Sequence, residues 1–210
     1  MTETVFKISR PFGPPLGLTE MPNSLISKIN DFIDEEIKDK KIGAELDHGS
    51  KLVGQVKQEI KLPENIIEGE LLNFFSALTK AYIKNAINKE VKNFRLIASW
   101  VIRQFENEYN PPHYHGGHVS GVGYLKLPET FGESIQESKK DNSHGNINFI
   151  HGSKQFLSTG VVDQRPKLGD CYIFPNYMYH SVNPFFGKGE RRSISFNAYI
   201  DEDIYNVYSL

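Results

Sequence analysis

Three of the chain's seven histidines fall within six positions of one another, in "NPPHYHGGHVSGVGYLKLP", residues 110–128. Imidazole is the side chain best suited to ligate a transition metal or move a proton near neutral pH. In an extended strand, residues i and i+2 project to the same face, so His113 and His115 point together with Tyr114 opposite, and form half a metal site. His118 is out of phase with both unless Gly116 and Gly117 make a bulge; the pair His113/His115 is therefore preferred and His118 held in reserve. An ion such as Fe(II) wants a third protein ligand, with positions left open for substrate and oxygen. Among His48, His144, His151 and His180, the last stands out. "LGDCYIFPNYMYHSVNPF" delivers it from a Gly-Asp turn, through an apolar strand, to a bend marked by proline. The other three read as surface or structural histidines, with a lid contact to substrate conceivable for His144.

The segment "ERRSISFN" follows. Strand alternation puts Arg191, Ser193, Ser195 and Asn197 on one face, and Arg192, Ile194, Phe196 and Ala198 on the other. An inward arginine beside an inward serine is costly to bury without an anion. The guanidinium fork suits a carboxylate held bidentately, with the hydroxyl as an extra donor. The structural alternative pairs Arg191 with Glu190 or another acidic neighbour. Arg103 shares a face with Ser99 and is read evenly as a substrate contact or an outward charge, and Cys171 as a small core residue.

These side chains need rigid elements. From Phe94 onward, "FRLIASWVIRQF", "HVSGVGYLKLP", "GNINFIHGS", "GDCYIFPNYMYHSVNPF" and "RRSISFNAYI" are short β-branched and aromatic runs between Gly, Pro, Asn and Asp, the pattern of a sandwich, jelly roll or barrel. Before them, Met21–Lys41 carries Leu25, Ile29, Phe32 and Ile33 on one helical face, with Asn23 or Ser24 as cap. A second amphipathic helix is predicted over Asn65–Lys92, with Leu71, Phe74, Phe75, Leu78 and Ile83 on its stripe. Both stripes read as packing surfaces. The polar stretch Pro128–Asn146, which includes Lys139 and Lys140, reads as a mobile loop; "PFGPPLGL" is a short arm without an evident purpose. The expected fold class is α+β, a sandwich, jelly roll or barrel with supporting N-terminal helices. Residues 1–210 are expected to make one domain, 1–92 forming the arm and helical layer and 93–210 the β core.

A formal charge of −2 gives no electrostatic reason to expect a nucleic-acid partner. One cysteine cannot form an internal disulfide, which fits a reducing compartment. With no secretory signal and no apolar run long enough to span a bilayer, the expectation is a cytoplasmic protein without a membrane partner. Oligomeric state is not legible.

"SWVIRQFENEYNPPHYHGGHVSGVGYLKLP", with "GDCYIFPNYMYHSVNPF" and "ERRSISFNAYI" after it, resembles a 2-oxoglutarate–Fe(II) oxygenase family of prolyl-hydroxylase-like kind, over about residues 94–200. The resemblance implies that the β core over 93–210 is a double-stranded β-helix of jelly-roll or cupin-like form, with His113 and His180 as iron ligands, Arg191 and Ser193 as the clamp for the distal carboxylate of 2-oxoglutarate, and Tyr124 as a further donor to it. It implies Fe(II), 2-oxoglutarate and oxygen as reactants, with ascorbate an optional addition. The expected reaction is hydroxylation of a peptidyl or small-molecule substrate, coupled to decarboxylation of 2-oxoglutarate to succinate. The departure is His115, where the superfamily usually carries Asp or Glu. Imidazole there leaves the site one charge more positive, which favours an anionic cosubstrate and disfavours high-valent iron. An alternative register, His115 as first ligand with Gly117 at a vacant acid position as in halogenases, fits less well before "GYL". A cupin-like metal-binding protein without 2-oxoglutarate turnover remains the alternative function, and has no need of Arg191-x-Ser193. A non-catalytic ligand-binding sandwich is a third.

Overall fold

A computed structural model describes residues 7–9, 13–36, 44–134, 136–139 and 141–206. Eleven strands are described: β1 (Lys7–Ser9), β2 (Leu16–Glu20), β3 (Gln58–Lys61), β4 (Arg95–Gln104), β5 (Asn110–His113), β6 (Val119–Lys126), β7 (Ile147–Ile150), β8 (Val161–Gln164), β9 (Asp170–Pro175), β10 (Tyr179–Val182) and β11 (Arg191–Tyr199). They form a seven-stranded sheet of order β1-β2-β9-β6-β11-β4-β3 and a four-stranded sheet of order β5-β10-β7-β8. Every strand pairing is antiparallel. Two helices, α1 (Asn23–Glu36) and α2 (Glu70–Ile87), support them. This is the double-stranded β-helix expected from the sequence.

The large sheet separates two apolar cores. On its outer side Leu25, Ile29 and Ile33 of α1 and Leu71, Phe75 and Leu78 of α2 bury against Val101, Leu125, Ile194 and Phe196. Phe75 stacks on Phe196 with ring centroids 4.1 Å apart. Gly121 and Gly123 of β6 make this closeness possible: a Cβ on the first would lie 2.2 Å from the Phe196 ring, and on the second 2.4 Å from Met21 Sδ. The inner core, between the sheets, holds Tyr124, Phe149, Tyr172, Phe174 and Met178. Cys171 is buried in the outer core, as expected.

Three elements differ from expectation. The predicted helix over Asn65–Lys92 is split into a turn at Glu64–Ile67 and α2, because Gly69 takes φ 85° between them. It stops at Ile87, where Asn88 adopts the left-handed conformation that ends helices. The N-terminal part also contributes strands, β1, β2 and β3, to the large sheet. Within "PFGPPLGL", Leu16–Leu18 begin β2, which pairs with β9. The predicted α1 extension over 37–41, residues 11 and 12 of the arm, and Lys140 lie outside the described residues. No helix among those residues is long and apolar enough to cross a membrane.

Candidate functional site

β5 and β10 are neighbours in the small sheet, and their register sets His113 opposite His180. His113 Nδ1 lies 2.8 Å from Pro111 O and His180 Nδ1 3.0 Å from Met178 O. A carbonyl can only accept, so both rings carry their proton on Nδ1 and keep a free lone pair on Nε2. His115 arrives by a different route from the one strand alternation predicts. β5 ends at His113, and His115 is pinned by two hydrogen bonds: its N–H donates to Asn176 O at 3.1 Å, and Asn176 Nδ2 donates to its carbonyl at 3.2 Å. Its Nε2 then sits 3.1 Å from His180 Nε2.

One ligand atom from each of His113, His115 and His180 falls within 4.8 Å of the other two. Burial lowers the pKa of all three. For His180, the deepest, the fields of His113 and His115 add to burial, and for His115 burial plus His113 reaches about 3. Three neutral imidazoles crowded on one point are an unsatisfied donor set for a cation.

His118 is elsewhere. Gly117 turns the chain at φ 91°, and His118 packs flat on Tyr205, centroids 3.8 Å apart, with Nδ1 accepting from Ile200 N. Its role is structural. His144 meets Phe186 edge-on. His48 proves less peripheral than its sequence context implies, since it lines the pocket beside Trp100.

That pocket has a volume of about 450 Å³ and reaches from the three histidines to Arg191. Arg191 is 1% exposed and donates through Nε to Gly145 O at 3.1 Å. Its Nη1 makes only a long 3.5 Å contact with Ser193 Oγ. Its Nη2 and the hydroxyl of Tyr124, whose ring lies 5.0 Å from the guanidinium carbon, interact with each other but make no hydrogen bond of regular geometry with any group. Burial raises the Tyr124 pKa against the opposing field of Arg191, so the phenol keeps its proton and can donate. Among the described residues no carboxylate pairs with Arg191. The expected alternative, a pair with Glu190, goes instead to Arg192 and Arg103, the latter neither a pocket contact nor a free outward charge.

The chemistry of this cavity is therefore nitrogen donors for a soft-to-intermediate cation at one end and incompletely satisfied N–H and O–H donors for an anion at the other. Iron and a dicarboxylate such as 2-oxoglutarate fit both ends, since buried donors without acceptors are costly until an anion satisfies them. Sequence reasoning missed Glu59 and Asn110, which also line the pocket. No signal marked Glu59, because "KQEIK" reads as a polar segment with nothing to tie it to the sheet.

Residues 98–197 match the family model described as "Putative 2OG-Fe(II) oxygenase". No curated protein matches the sequence. Among solved structures, the viral collagen prolyl hydroxylase from Paramecium bursaria Chlorella virus-1, in its 2-oxoglutarate complex, superposes with TM-score 0.52 and 15% identity, over 92% of this chain and 94% of that one. A prolyl-4-hydroxylase from Pseudomonas putida gives 0.54 and 14%, over 89% and 92%. The 2-oxoglutarate-dependent epimerase SnoN of nogalamycin biosynthesis gives 0.57 and 15%, over 89% and 77%. At such identities the likeness is one of fold. The family match adds a resemblance to 2-oxoglutarate–Fe(II) oxygenases over residues 98–197.

Proposed function

We propose that His113, His115 and His180 hold the iron, that Arg191, Ser193 and Tyr124 hold the distal carboxylate of 2-oxoglutarate, and that the chain hydroxylates a peptidyl or small-molecule substrate. The observation that carries this reading is the coexistence, in one cavity, of three converging neutral imidazoles and a buried guanidinium without an anion. The prolyl hydroxylases among the similar folds are consistent with hydroxylation, and the epimerase shows that the fold alone does not dictate it. Residues 1–210 are read as one domain, because strands from the N-terminal part complete the sheet that carries Arg191.

When bound, iron and 2-oxoglutarate let molecular oxygen oxidise a substrate C–H bond, the cosubstrate ending as succinate and carbon dioxide. The protein's own tasks are positional. Pro111 O and Met178 O fix the tautomers of His113 and His180, so Nε2 faces the cavity in each. Arg191 supplies charge and Nη2, Tyr124 a phenolic proton and Ser193 a hydroxyl, and together they orient one carboxylate. Val122, Ile147 and Phe174 line the same cavity and exclude water from the reacting end. An all-imidazole donor set leaves the ion's full charge uncompensated, which strengthens the hold on an anionic cosubstrate.

Anaerobic titration of the Fe(II)-loaded protein with 2-oxoglutarate tests the reading through the visible absorption band of the iron–cosubstrate complex. A band that weakens in Arg191→Ala at fixed cosubstrate is expected; bound iron without any band counts against it. His115→Asp is expected to keep iron and shift the band. If that variant leaves both metal affinity and spectrum untouched, position 115 is not a ligand.

A further inference from the structure

One wall of the cavity carries chemistry that neither the iron nor the cosubstrate uses. β3 pairs with β4 so that Glu59 lies opposite Ile102, the neighbour of Trp100 on the cavity face of β4. Glu59 is 3% exposed and lines the cavity. Among the described residues its carboxylate has no hydrogen-bond or ion-pair partner: Arg103 goes to Gln58 and Glu190, and the cavity-lining Lys51 is exposed on the rim and makes no pair with it. Asn110, at the start of the strand that carries His113, contributes a second orphan, a buried Oδ1 with no partner.

The two oxygens converge. A Cβ placed on Gly54 would lie 2.5 Å from Asn110 Oδ1 and 2.8 Å from Glu59 Oε1, so both acceptors surround one point of the wall. Asp47 adds negative field from behind, its own Oδ1 engaged by the Gly49 N–H at 3.0 Å. Trp100 and a neutral His48 line the same wall and offer aromatic surface, their rings 5.9 Å apart. A buried carboxylate is ordinarily paired or bound to a cation, and an unpaired one is retained only at a cost. Burial, then Asp47, raises the Glu59 pKa to about 7.

We infer that Glu59 and Asn110 Oδ1 form a recognition subsite for a cationic nitrogen group of the substrate, an ammonium or guanidinium that donates to both oxygens and lies against Trp100. This deepens the oxygenase reading above and rests on it for the word substrate. The class it assigns is an amine- or guanidine-bearing molecule or side chain, held on the β3 side of the cavity, two strands across the sheet from Ser193. The recognition is complementary in sign to that of Arg191: the cosubstrate enters as an anion and the substrate as a cation, so neither competes for the other's anchor.

The test uses the full chain and four probes of one length, n-butylammonium, n-butylguanidinium, n-butanol and n-butyrate, with binding read by ligand-observed NMR. The two cations are expected to bind in preference to the alcohol and the anion. Glu59→Gln, nearly isosteric, should weaken them by about tenfold or more, the scale of a hydrogen bond to a charged group. Gly54→Ala provides a second variant that keeps the charge. The atoms nearest its methyl group are the side-chain ends of Glu59, Asn110 and Val56, and by parting the oxygens it should also weaken the cations. Equal binding of all four probes, or undiminished cation binding in both variants, overturns the subsite. Iron and 2-oxoglutarate binding are measured on the same preparations. Cation selectivity lost in Glu59→Gln, with no iron–cosubstrate band in the wild type, would sink the oxygenase site assignment and leave the subsite standing.

Discussion

Arg191 and Arg192 are consecutive, 1% and 0% exposed, and opposite in every other respect. Arg192 points to the helix side of the large sheet, where Glu190 accepts from its Nε at 2.7 Å and Nη2 at 3.1 Å, Asp34 accepts from Nη2 at 2.6 Å and Asn30 Oδ1 from Nη1 at 3.0 Å. Arg103, across the β4–β11 ladder, grips the same Glu190 through Nε and Nη2. Arg191 points into the cavity, where its Nη2 and the neighbouring Tyr124 hydroxyl make no hydrogen bond of regular geometry. One guanidinium is saturated by the protein's own acceptors; the other keeps a donor unspent. Burial alone does not distinguish a structural charge from a functional one; the completeness of its hydrogen bonding does.

Truncating each arginine to alanine should separate these roles most sharply. Arg192→Ala strips Glu190 and Asp34 of a partner and is expected to destabilise the fold by about 3–5 kcal/mol, read as a lower denaturation midpoint. Arg191→Ala should cost about 2–5 kcal/mol in 2-oxoglutarate affinity, read by titration, with a far smaller change in the midpoint. Equal loss of stability in both variants would erase the contrast.

Acid should find the same boundary. Burial would raise the Glu190 pKa, but hydrogen bonds from Arg103 and Arg192 outweigh it and hold the carboxyl at about 2 against 4.5. A depressed folded pKa means a contribution present above the unfolded value and lost as pH falls through the folded one. Stability should therefore drop by on the order of 2–3 kcal/mol between pH 4.5 and 2. Glu190→Gln should flatten that limb of the stability–pH curve. A full acid limb persisting in this variant would place the titrating group elsewhere. The smallest expected effect is Tyr124→Phe. It removes one neutral donor from the cavity and should weaken 2-oxoglutarate by about 0.5–1.5 kcal/mol, with no change in iron content.

Strand alternation made much of this legible. The inward set Arg191, Ser193, Ser195 and Asn197 lines the cavity, and the apolar stripe of α1 buries against the sheet as its period requires. His113 and His180 were visible as a pair of strand-borne histidines. That His115 joins them was anticipated on a wrong premise, because the contact with Asn176 lies 61 residues away and leaves no local trace. Glu59 was illegible for a similar reason. Its significance comes from the β3–β4 pairing and from what it lacks, and neither is a property of the letters around it. The identity of Glu190's partner was a matter of parity: residues two apart share a face, so Arg192 reaches it and Arg191 cannot.

The placement of the imidazoles has a mechanical side. β5 is an outermost strand of the small sheet, paired there to β10 alone, and edge strands open most readily. His115, just beyond its end, lies 65 residues from His180 along the chain. An ion gripping both rings is thus a cross-link that fastens the loose border of the sheet to its interior. Because unfolding releases the ion, its hold adds to stability by mass action, growing with the ratio of free metal to the dissociation constant. The centre that would perform the oxidation is also a clasp, and stripping the metal should unbutton β5 before the rest of the fold gives way.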